Sequence, residues 1–425
     1  MAQDTPQAPE SFRDAQPQPF QLTLPRGHLF GDWYGLRPWL EDHGITPTVT
    51  FDTDALGNPT GGIQHGFTTA NNLGIDLLFD LEKLRGPKGG SFEVSMSGRF
   101  GSNLSAKDIG NVFNVQQLYG SETFNLVNVA YQQELLEERL EFRLGRLAAG
   151  DDFLTSPYNC AFVQNGFCGN PVGIFFNAPG MTAYPNATWG LRVKGKPTER
   201  TYVMAGVYNG DPAIRATEYH GANWSMHGPV FAIGEVAYQA NGQPGDPGLI
   251  GNYKAGVWYD NSQYTDFTTV SPGQSPSLTR GNWGLYATFD QVLVALGDRA
   301  SNRGFGVTGA FLVSPKQSIS QMPYFFDAGF LVRGAFASRP ADVAAIGVVY
   351  GYFSNDLQDA QRRQQLLNPA LGVQQYEMAL ELTYKFSFLQ DAVYFQPDLQ
   401  YIIRPGGTGK ISNALVLGFQ AGVNF

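Results

Sequence analysis

Residues 413–425 read Asn-Ala-Leu-Val-Leu-Gly-Phe-Gln-Ala-Gly-Val-Asn-Phe and end the sequence. One alternate set of positions is apolar and ends in Phe425, whereas the other set is small or polar. Because strand side chains alternate between two faces, the segment predicts a β-strand with one apolar face. An aromatic residue at the end of that face is typical of bacterial outer-membrane barrels. An ordinary half-buried strand of a soluble protein shows the same alternation, so the rest of the sequence must decide.

The composition favours a large β-barrel over a helical membrane protein. Charged residues make up 15% of the 425 residues, below the roughly 25% usual for soluble domains. Aromatic residues make up 13%, and there are 51 glycines. The mean hydropathy is nevertheless −0.20, and no run of about 18 apolar residues could form a spanning helix. A barrel reconciles these values because only alternate strand residues contact lipid.

Alternating segments recur along the chain from Ile45 to the end. They predict sixteen strands, at 45–56, 70–82, 90–101, 122–134, 138–148, 187–196, 199–209, 228–240, 249–260, 282–297, 302–314, 324–336, 343–353, 374–387, 391–404 and 412–425. Most are long enough to cross a membrane when tilted, and an even number is expected for a single-chain bacterial barrel. The predicted fold class is therefore all-β, a sixteen-stranded antiparallel transmembrane β-barrel.

The predicted links between strands alternate between long and short. Long links such as 101–121 and 149–186 are followed by short ones such as 134–138. This alternation is expected of a barrel whose two termini lie on the same, periplasmic side, and a soluble β-sandwich has no reason to keep it. We also expect that long loops, first of all 149–186, fold inward and narrow the pore.

The N-terminal part divides into two predicted segments. Residues 1–30 are rich in Pro and Gln and lack periodicity, which predicts a flexible leader. Residues 31–44 predict a short helix, with Gly44 as its C-cap, and residues 45–425 form the predicted barrel. Since the first residues contain no basic and apolar export signal, we expect that the signal peptide has already been removed.

Charge decides which strand face lines the pore. On the strand near residue 380, Met378, Leu380 and Leu382 share one face, while Glu377 and Glu381 share the other. A lipid-facing Lys or Arg at the bilayer midplane would cost about 2–4 kcal/mol, so the charged face must point inward. The same argument along the chain gives a set of candidate pore-lining, substrate-binding residues: Glu93, Arg99, Arg143, Arg333, Glu377, Glu381, Lys385, Asp398 and Arg404.

The predicted lumen thus interleaves acidic and basic side chains rather than carrying one sign of charge. Charged groups make strong hydrogen bonds to hydroxyl groups, which suits sugars, and binding must stay weak because a permeating solute has to leave. The alternative is that these charges only hydrate a wide pore or pair with each other. The residues alone leave sugar selectivity and general diffusion open.

Three sequence blocks resemble the carbohydrate-selective porins of the OprB type. They are Gly-Asp-Trp-Tyr-Gly-Leu-Arg-Pro-Trp-Leu at 31–40, Gly-Arg-Leu-Ala-Ala-Gly-Asp-Asp-Phe at 145–153, and Gln-Pro-Asp-Leu-Gln-Tyr-Ile-Ile-Arg-Pro-Gly-Gly at 396–407. In the second block Leu-Ala-Ala-Gly departs from the pattern, where a polar residue is expected. The resemblance implies a sixteen-stranded channel that passes glucose-like sugars by facilitated diffusion across the bacterial outer membrane. It does not name the sugar or the constriction residues.

The chain has two cysteines, Cys160 and Cys168, in a Gly/Asn/Pro-rich stretch. In an exported protein such a pair is expected to form a loop disulfide, and two unpaired thiols are the alternative. A cysteine pair also follows the second block in the family that the sequence resembles. A bridge so short should add little global stability.

The sequence offers little support for other functions. The five histidines lie in the predicted leader, helix and loops, and no nucleophile, metal or cofactor motif occurs, so we expect no enzyme activity, metal or cofactor. The acidic pairs Asp151-Asp152 and Glu137-Glu138 could bind calcium or simply be solvated. The net charge of −9 argues against nucleic acid as a partner.

The expected partners are small sugars, outer-membrane lipid and lipopolysaccharide. A monomer and a homotrimer stay open, as does an envelope partner for residues 1–30. A structural or adhesive barrel is the third functional alternative.

Overall fold

The computed structural model of the protein describes residues 27–242, 246, 248–297 and 303–425. They form one closed barrel of sixteen antiparallel strands, as the sequence predicts. The strands are β1 Ile45–Gly62, β2 Phe67–Asp80, β3 Gly90–Gly101, β4 Thr123–Leu135, β5 Leu140–Leu147, β6 Thr188–Thr198, β7 Thr201–Asn209, β8 Val230–Ala240, β9 Gly251–Thr265, β10 Leu278–Ala295, β11 Gly304–Val313, β12 Tyr324–Arg333, β13 Val343–Tyr352, β14 Tyr376–Phe388, β15 Val393–Ile403 and β16 Ser412–Asn424.

The C-terminal strand β16 closes the barrel. It pairs with β15 on one side, where Leu399 lies opposite Leu417, and with β1 on the other, where Ala55 lies opposite Phe419. Each remaining strand pairs with its neighbours in the sequence. Closure gives both edges of every strand a partner, so no unpaired edge faces the surroundings.

The links separate into two ends of the barrel. One end carries the long loops 102–122, 148–187, 210–229 and 353–375. The other end carries both termini of the described barrel and links no longer than 241–250. In single-chain outer-membrane barrels the short turns are periplasmic and the long loops extracellular.

The link between β1 and β2 is much shorter than the sequence pattern predicts. It covers only 63–66, because both strands continue beyond their predicted ends. The Asn58 side chain stabilises this tight turn, since its amide donates to the carbonyls of Gly61 and Gln64 and its oxygen accepts from the Gly66 N–H.

The two faces of the strands follow the predicted alternation. On β15 the exposed fractions of Phe395, Leu399 and Tyr401 are 41%, 38% and 38%. Gln396 and Asp398, on the other face of the same strand, are 0% and 4% exposed. The apolar face therefore points outward and the polar face points into the barrel.

Pro397 lies at a local gap in the β14–β15 ladder. The pairing skips from Thr383–Asp398 to Phe386–Phe395, at the position where the proline has no N–H to donate to the ladder. The Thr383 hydroxyl donates to the Pro397 carbonyl at 2.9 Å and bridges the gap.

The segment before β1 packs against the C-terminus. Helix α1 covers Leu36–Asp42, and its Arg37 donates to the Phe425 carbonyl at 2.8 Å. The rings of Phe30 and Phe425 lie 5.4 Å apart between centroids. Residues 1–26 of the predicted leader lie outside the described residues. None of the described helices is long and apolar enough to span a membrane.

Candidate functional site

The β5–β6 loop, residues 148–187, is packed inside the barrel. Its apolar side chains belong to the main buried cluster together with inward-facing strand residues. The rings of Phe162 and Phe167 stack at 4.1 Å between centroids and lie against the backbone of Gly347 on β13. A Cβ atom at Gly347 would lie 2.6 Å from the Phe167 ring. This glycine therefore allows the loop to approach the wall closely.

The β3–β4 loop, residues 102–122, also folds into the barrel. The Phe113 ring of this loop lies against Gly351 of β13, and its amide donates to Glu377 of β14 at 2.8 Å. The Val112 amide donates to the same carboxylate at 2.8 Å. The loop is thereby held to the wall on the side of β13 and β14.

Inward carboxylates on several strands accept hydrogen bonds from these two loops. Glu381 accepts from the Val163 amide at 2.6 Å, Asp260 from the Gly180 amide at 2.6 Å, and Asp54 from the Leu118 amide at 3.1 Å. Glu235 likewise accepts from the Leu154 amide at 3.1 Å and from two tyrosine hydroxyls. Inward acids on this part of the wall therefore hold loop backbone rather than face open water.

Glu93 and Arg143 lie in a buried ion-pair cluster. Arg143, 0% exposed, contacts Glu93 at 2.5 Å and Asp152 of the β5–β6 loop at 3.3 Å. Arg192 of β6 contacts Asp152 at 2.9 Å and also pairs with Glu141. Burial alone would raise the pKa of Asp152, but the guanidinium groups of Arg192 and Arg143 hold that pKa below its usual value. The cluster fixes the start of the loop to the wall formed by β3, β5 and β6.

Three further candidates lie on β12, β14 and β15. Arg333 is 4% exposed and interacts electrostatically with Tyr158 of the β5–β6 loop and with Asp391. The Lys385 ammonium lies 4.1 Å from the Tyr394 ring centroid. Asp398 is buried and accepts from Gln400 at 2.7 Å. All three point inward, and Lys385 is the most accessible to water.

Arg404 lies outside the lumen, at the loop end of the barrel. It follows β15 with a positive φ of 57°, which turns its side chain away from the inward face that strand parity assigns to it. Its guanidinium stacks on Tyr376 at 4.8 Å from the ring centroid and donates to Gln375 at 3.0 Å. The continued alternation that placed Arg404 inward ends one residue before it, because β15 ends at Ile403.

Arg99 lies where the two inner loops meet the wall formed by β1, β2 and β3. Its Nε donates to Asn72 of β2 at 3.3 Å, and its guanidinium lies 5.4 Å from the ring centroid of Tyr184 in the β5–β6 loop. The Tyr184 hydroxyl reaches to within 3.5 Å of where a Cβ atom of Gly74 would lie. The loop thus lies against the wall formed by β1, β2 and β3 at this level, beside the half-buried Thr50.

Half-buried polar side chains continue from this point along the inner wall. They are Thr48, Thr50, Asp52, Asp76, Gln132, Glu141 and Lys194. They lie on β1, β2, β4, β5 and β6, away from the strands that the two loops cover most. The accessible inner surface is therefore polar and bears both signs of charge.

Sequence reasoning selected Arg99 but missed Tyr184 and Asn72. Strand parity and charge identify a charged inward residue, and Asn72 is uncharged. Tyr184 lies in an irregular loop, where alternation carries no information about direction.

Cys160 and Cys168 form a disulfide with a Cα–Cα distance of 4.3 Å. The bridge closes the loop segment that carries Phe162 and Phe167. Within the described residues, no group of three or more His, Cys, Asp or Glu side chains could hold a metal ion.

Comparison with known proteins agrees with this geometry. Residues 64–425 match the model of the family described as "Carbohydrate-selective porin, OprB family". The chain belongs to the OprB family. It is a carbohydrate porin of the bacterial outer membrane, which confirms the predicted family, fold and location.

Individual relatives match over nearly the whole chain. Porin B of Pseudomonas aeruginosa is 29% identical, over 92% of this chain and 90% of that protein. The putative porin QuiX of Acinetobacter baylyi is 26% identical, over 94% of this chain and 93% of that protein. The high-pH structure of Pseudomonas putida OprB matches with a TM-score of 0.87, 24% identity, and coverage of 95% of this chain and 100% of that chain.

Proposed function

We propose that sugars diffuse passively along the polar side of the lumen and are selected at a constriction around Arg99 and Tyr184. The observation that carries the proposal is the approach of Tyr184 to the wall at Gly74, beside the Arg99 guanidinium. The two inner loops pack mainly against the inward surface of β7–β15. A permeating solute would therefore pass on the side of β1–β6.

The groups at this constriction suit a neutral polyhydroxyl solute. The Arg99 guanidinium carries several N–H donors in one plane and is positioned by the buried Asn72. The half-buried Thr50 offers a hydroxyl, and the Tyr184 ring offers a flat face for sugar C–H groups. Contacts from few residues keep affinity low, as transport requires. Asp52 and Asp76 lie on the neighbouring wall, so we expect anionic solutes to pass less readily than neutral sugars.

The other candidate residues support this function from outside the solute path. Glu93, Arg143, Glu377 and Glu381 hold the inner loops in place through the contacts described above. We assign Arg333, Lys385 and Asp398 to the wall on the loop-covered side. None of these groups needs a catalytic role, and we propose a channel without enzyme activity. The outward apolar faces would contact outer-membrane lipid and lipopolysaccharide, in a monomer or a homotrimer.

Single-channel conductance in a planar bilayer tests the proposal, with glucose titrated against the ionic current. Saturable block by glucose is expected. Arg99→Gln should weaken the block by roughly tenfold or more, because hydrogen bonds from a charged group contribute about 1.5–3 kcal/mol. Arg362→Gln, which removes an exposed charge from the loop end, is the control and should leave the block unchanged.

The other outcomes point to the alternatives. A steady conductance that no sugar affects would mean a general diffusion pore. Absence of any conductance would leave the barrel as a structural or adhesive protein. Equal block in the wild type and Arg99→Gln would move the constriction away from Arg99.

A further inference from the structure

A separate cavity of about 540 Å³ lies at the loop end of the barrel. Such a volume falls within the roughly 300–1,000 Å³ typical of small-molecule sites. Its walls come from the β5–β6 loop, the end of β9, the β9–β10 and β11–β12 links, and helix α2, Asn355–Gln365. It does not include the residues at the proposed constriction.

The described residues that line this cavity carry no charge. Four are aromatic and five are glutamines, namely Phe175, Phe176, Tyr264 and Phe267, and Gln263, Gln274, Gln321, Gln361 and Gln364. Tyr264 and Phe267 are buried, Phe175 and Phe176 are half-buried, and Gln274, Gln321 and Gln364 are exposed. Flat apolar faces combined with neutral amides suit a ring with hydroxyl groups, and they offer nothing to balance the charge of an ion.

The Tyr264 hydroxyl is the strongest sign of a ligand. Tyr264 lines the cavity and is only 8% exposed. Its hydroxyl lies near the Asp260 carboxylate but makes no hydrogen bond of normal geometry within the described part of the chain. The two Asp260 oxygens accept from the backbone amides of Gly180 and Ser262. A ligand hydroxyl would give the tyrosine the partner that buried polar groups normally have.

The walls of the cavity are held in place by hydrogen bonds. Arg363 of α2 donates to the carbonyls of Val270 and Phe267 at 2.7 Å and 2.6 Å. The Phe267 amide donates to the Ser318 carbonyl at 2.7 Å. Three separate links are thus tied together around the cavity, so little ordering is required when a ligand binds.

We propose that this cavity, hereafter the vestibule site, binds a neutral pyranose sugar before it enters the pore. The inference rests on the proposed sugar transport and adds a second binding step on the loop side. A sugar held in the vestibule raises the local concentration at the mouth. The site thereby increases the rate of entry from that side without changing the affinity at the constriction.

Current-noise analysis of glucose block, with glucose applied to each side of a single channel in turn, tests the vestibule site. When glucose is applied to the loop side, Tyr264→Phe and Gln364→Ala should each lower the rate of block roughly two- to tenfold, the effect of losing one hydrogen bond. When glucose is applied to the other side, the rate of block should not change. The first change keeps the ring, and the second keeps the helix because alanine is a good helix former. Tyr219→Phe, an exposed loop-end tyrosine outside the cavity, should have no effect.

Equal rates in the variants and the wild type would overturn the vestibule site. So would a loss of block from both sides, because this indicates a change in the pore itself. Saturation-transfer NMR with glucose and the detergent-solubilised protein separates the two proposals. If the wild type shows no current block but transfers saturation to glucose, and both variants lose the transfer, the vestibule site stands while the constriction proposal fails. Charged gluconate should give no transfer through this site, and equal transfer to gluconate would contradict the neutral-sugar assignment.

Discussion

Removing the Glu377 carboxylate should release the β3–β4 loop from the wall. Glu377 is 0% exposed and accepts from the amides of Val112, Phe113 and Gly406 at 2.8, 2.8 and 2.7 Å. Two of these donors belong to the inner loop, and the third belongs to the β15–β16 link. Glu377→Ala leaves all three amides without their acceptor, while the strand itself keeps its ladder.

The size of the effect follows from the two loop hydrogen bonds. Each bond to a charged acceptor contributes about 1.5–3 kcal/mol, so the docked loop loses about 3–6 kcal/mol. Water that enters the space left by the side chain can accept hydrogen bonds from the released amides. The expected loss therefore lies near the lower end of this range, about 3 kcal/mol. Since about 1.4 kcal/mol is a factor of ten, the population of the undocked loop should rise roughly a hundredfold.

The assay is single-channel recording combined with limited proteolysis of the reconstituted protein. We expect a noisier current with brief high-conductance openings and faster cleavage within residues 102–122. Glu377→Gln keeps one acceptor oxygen for the loop and should show a smaller effect. Glu122→Ala, which removes an exposed carboxylate at the end of the same loop, controls for charge. Unchanged current noise and cleavage in Glu377→Ala would refute the idea that this carboxylate holds the loop.

Two other perturbations test the buried cluster and the N-terminal contact. Arg143→Ala should lower the free energy of unfolding by about 3–5 kcal/mol, measured by thermal or urea unfolding, because it leaves acidic partners buried without their cation; a change below about 1 kcal/mol would contradict this. Burial and the nearby Arg37 lower the pKa of His28. The contact of residues 27–30 with the C-terminus should therefore be fully stable above about pH 6.5, the usual pKa of histidine. It should weaken as the pH falls from there toward the lowered pKa of His28, because protonation of His28 favours the open segment. Hydrogen exchange at the Leu29 amide reports the opening, and His28→Asn should remove this pH dependence; an equal dependence in that variant would exclude His28 as the cause.

The sequence alone determined the barrel, because its information is local and periodic. Strand alternation from Ile45 to Phe425 gave the number, order and facing of the strands, and charge selected the inner face. A period of two residues that recurs in sixteen segments distinguishes strands from helices, whose period is 3.6 residues. The same reasoning could not foresee that β1 and β2 extend into a tight turn, since the Asn58 side chain that closes this turn acts through contacts within the folded loop.

Only the tertiary structure decided what each inward residue does. Parity places Glu381 and Arg99 on the same inner surface. The hydrogen bonds that Glu381 accepts, however, come from the amides of Val163 and Gln164, more than two hundred residues away in the sequence. Tyr184 lies in a loop whose direction depends on packing against Gly74, and no local pattern encodes that approach. The sequence thus set which side chains face the lumen, through short-range backbone geometry. The long-range packing of two loops set which of them a solute can reach.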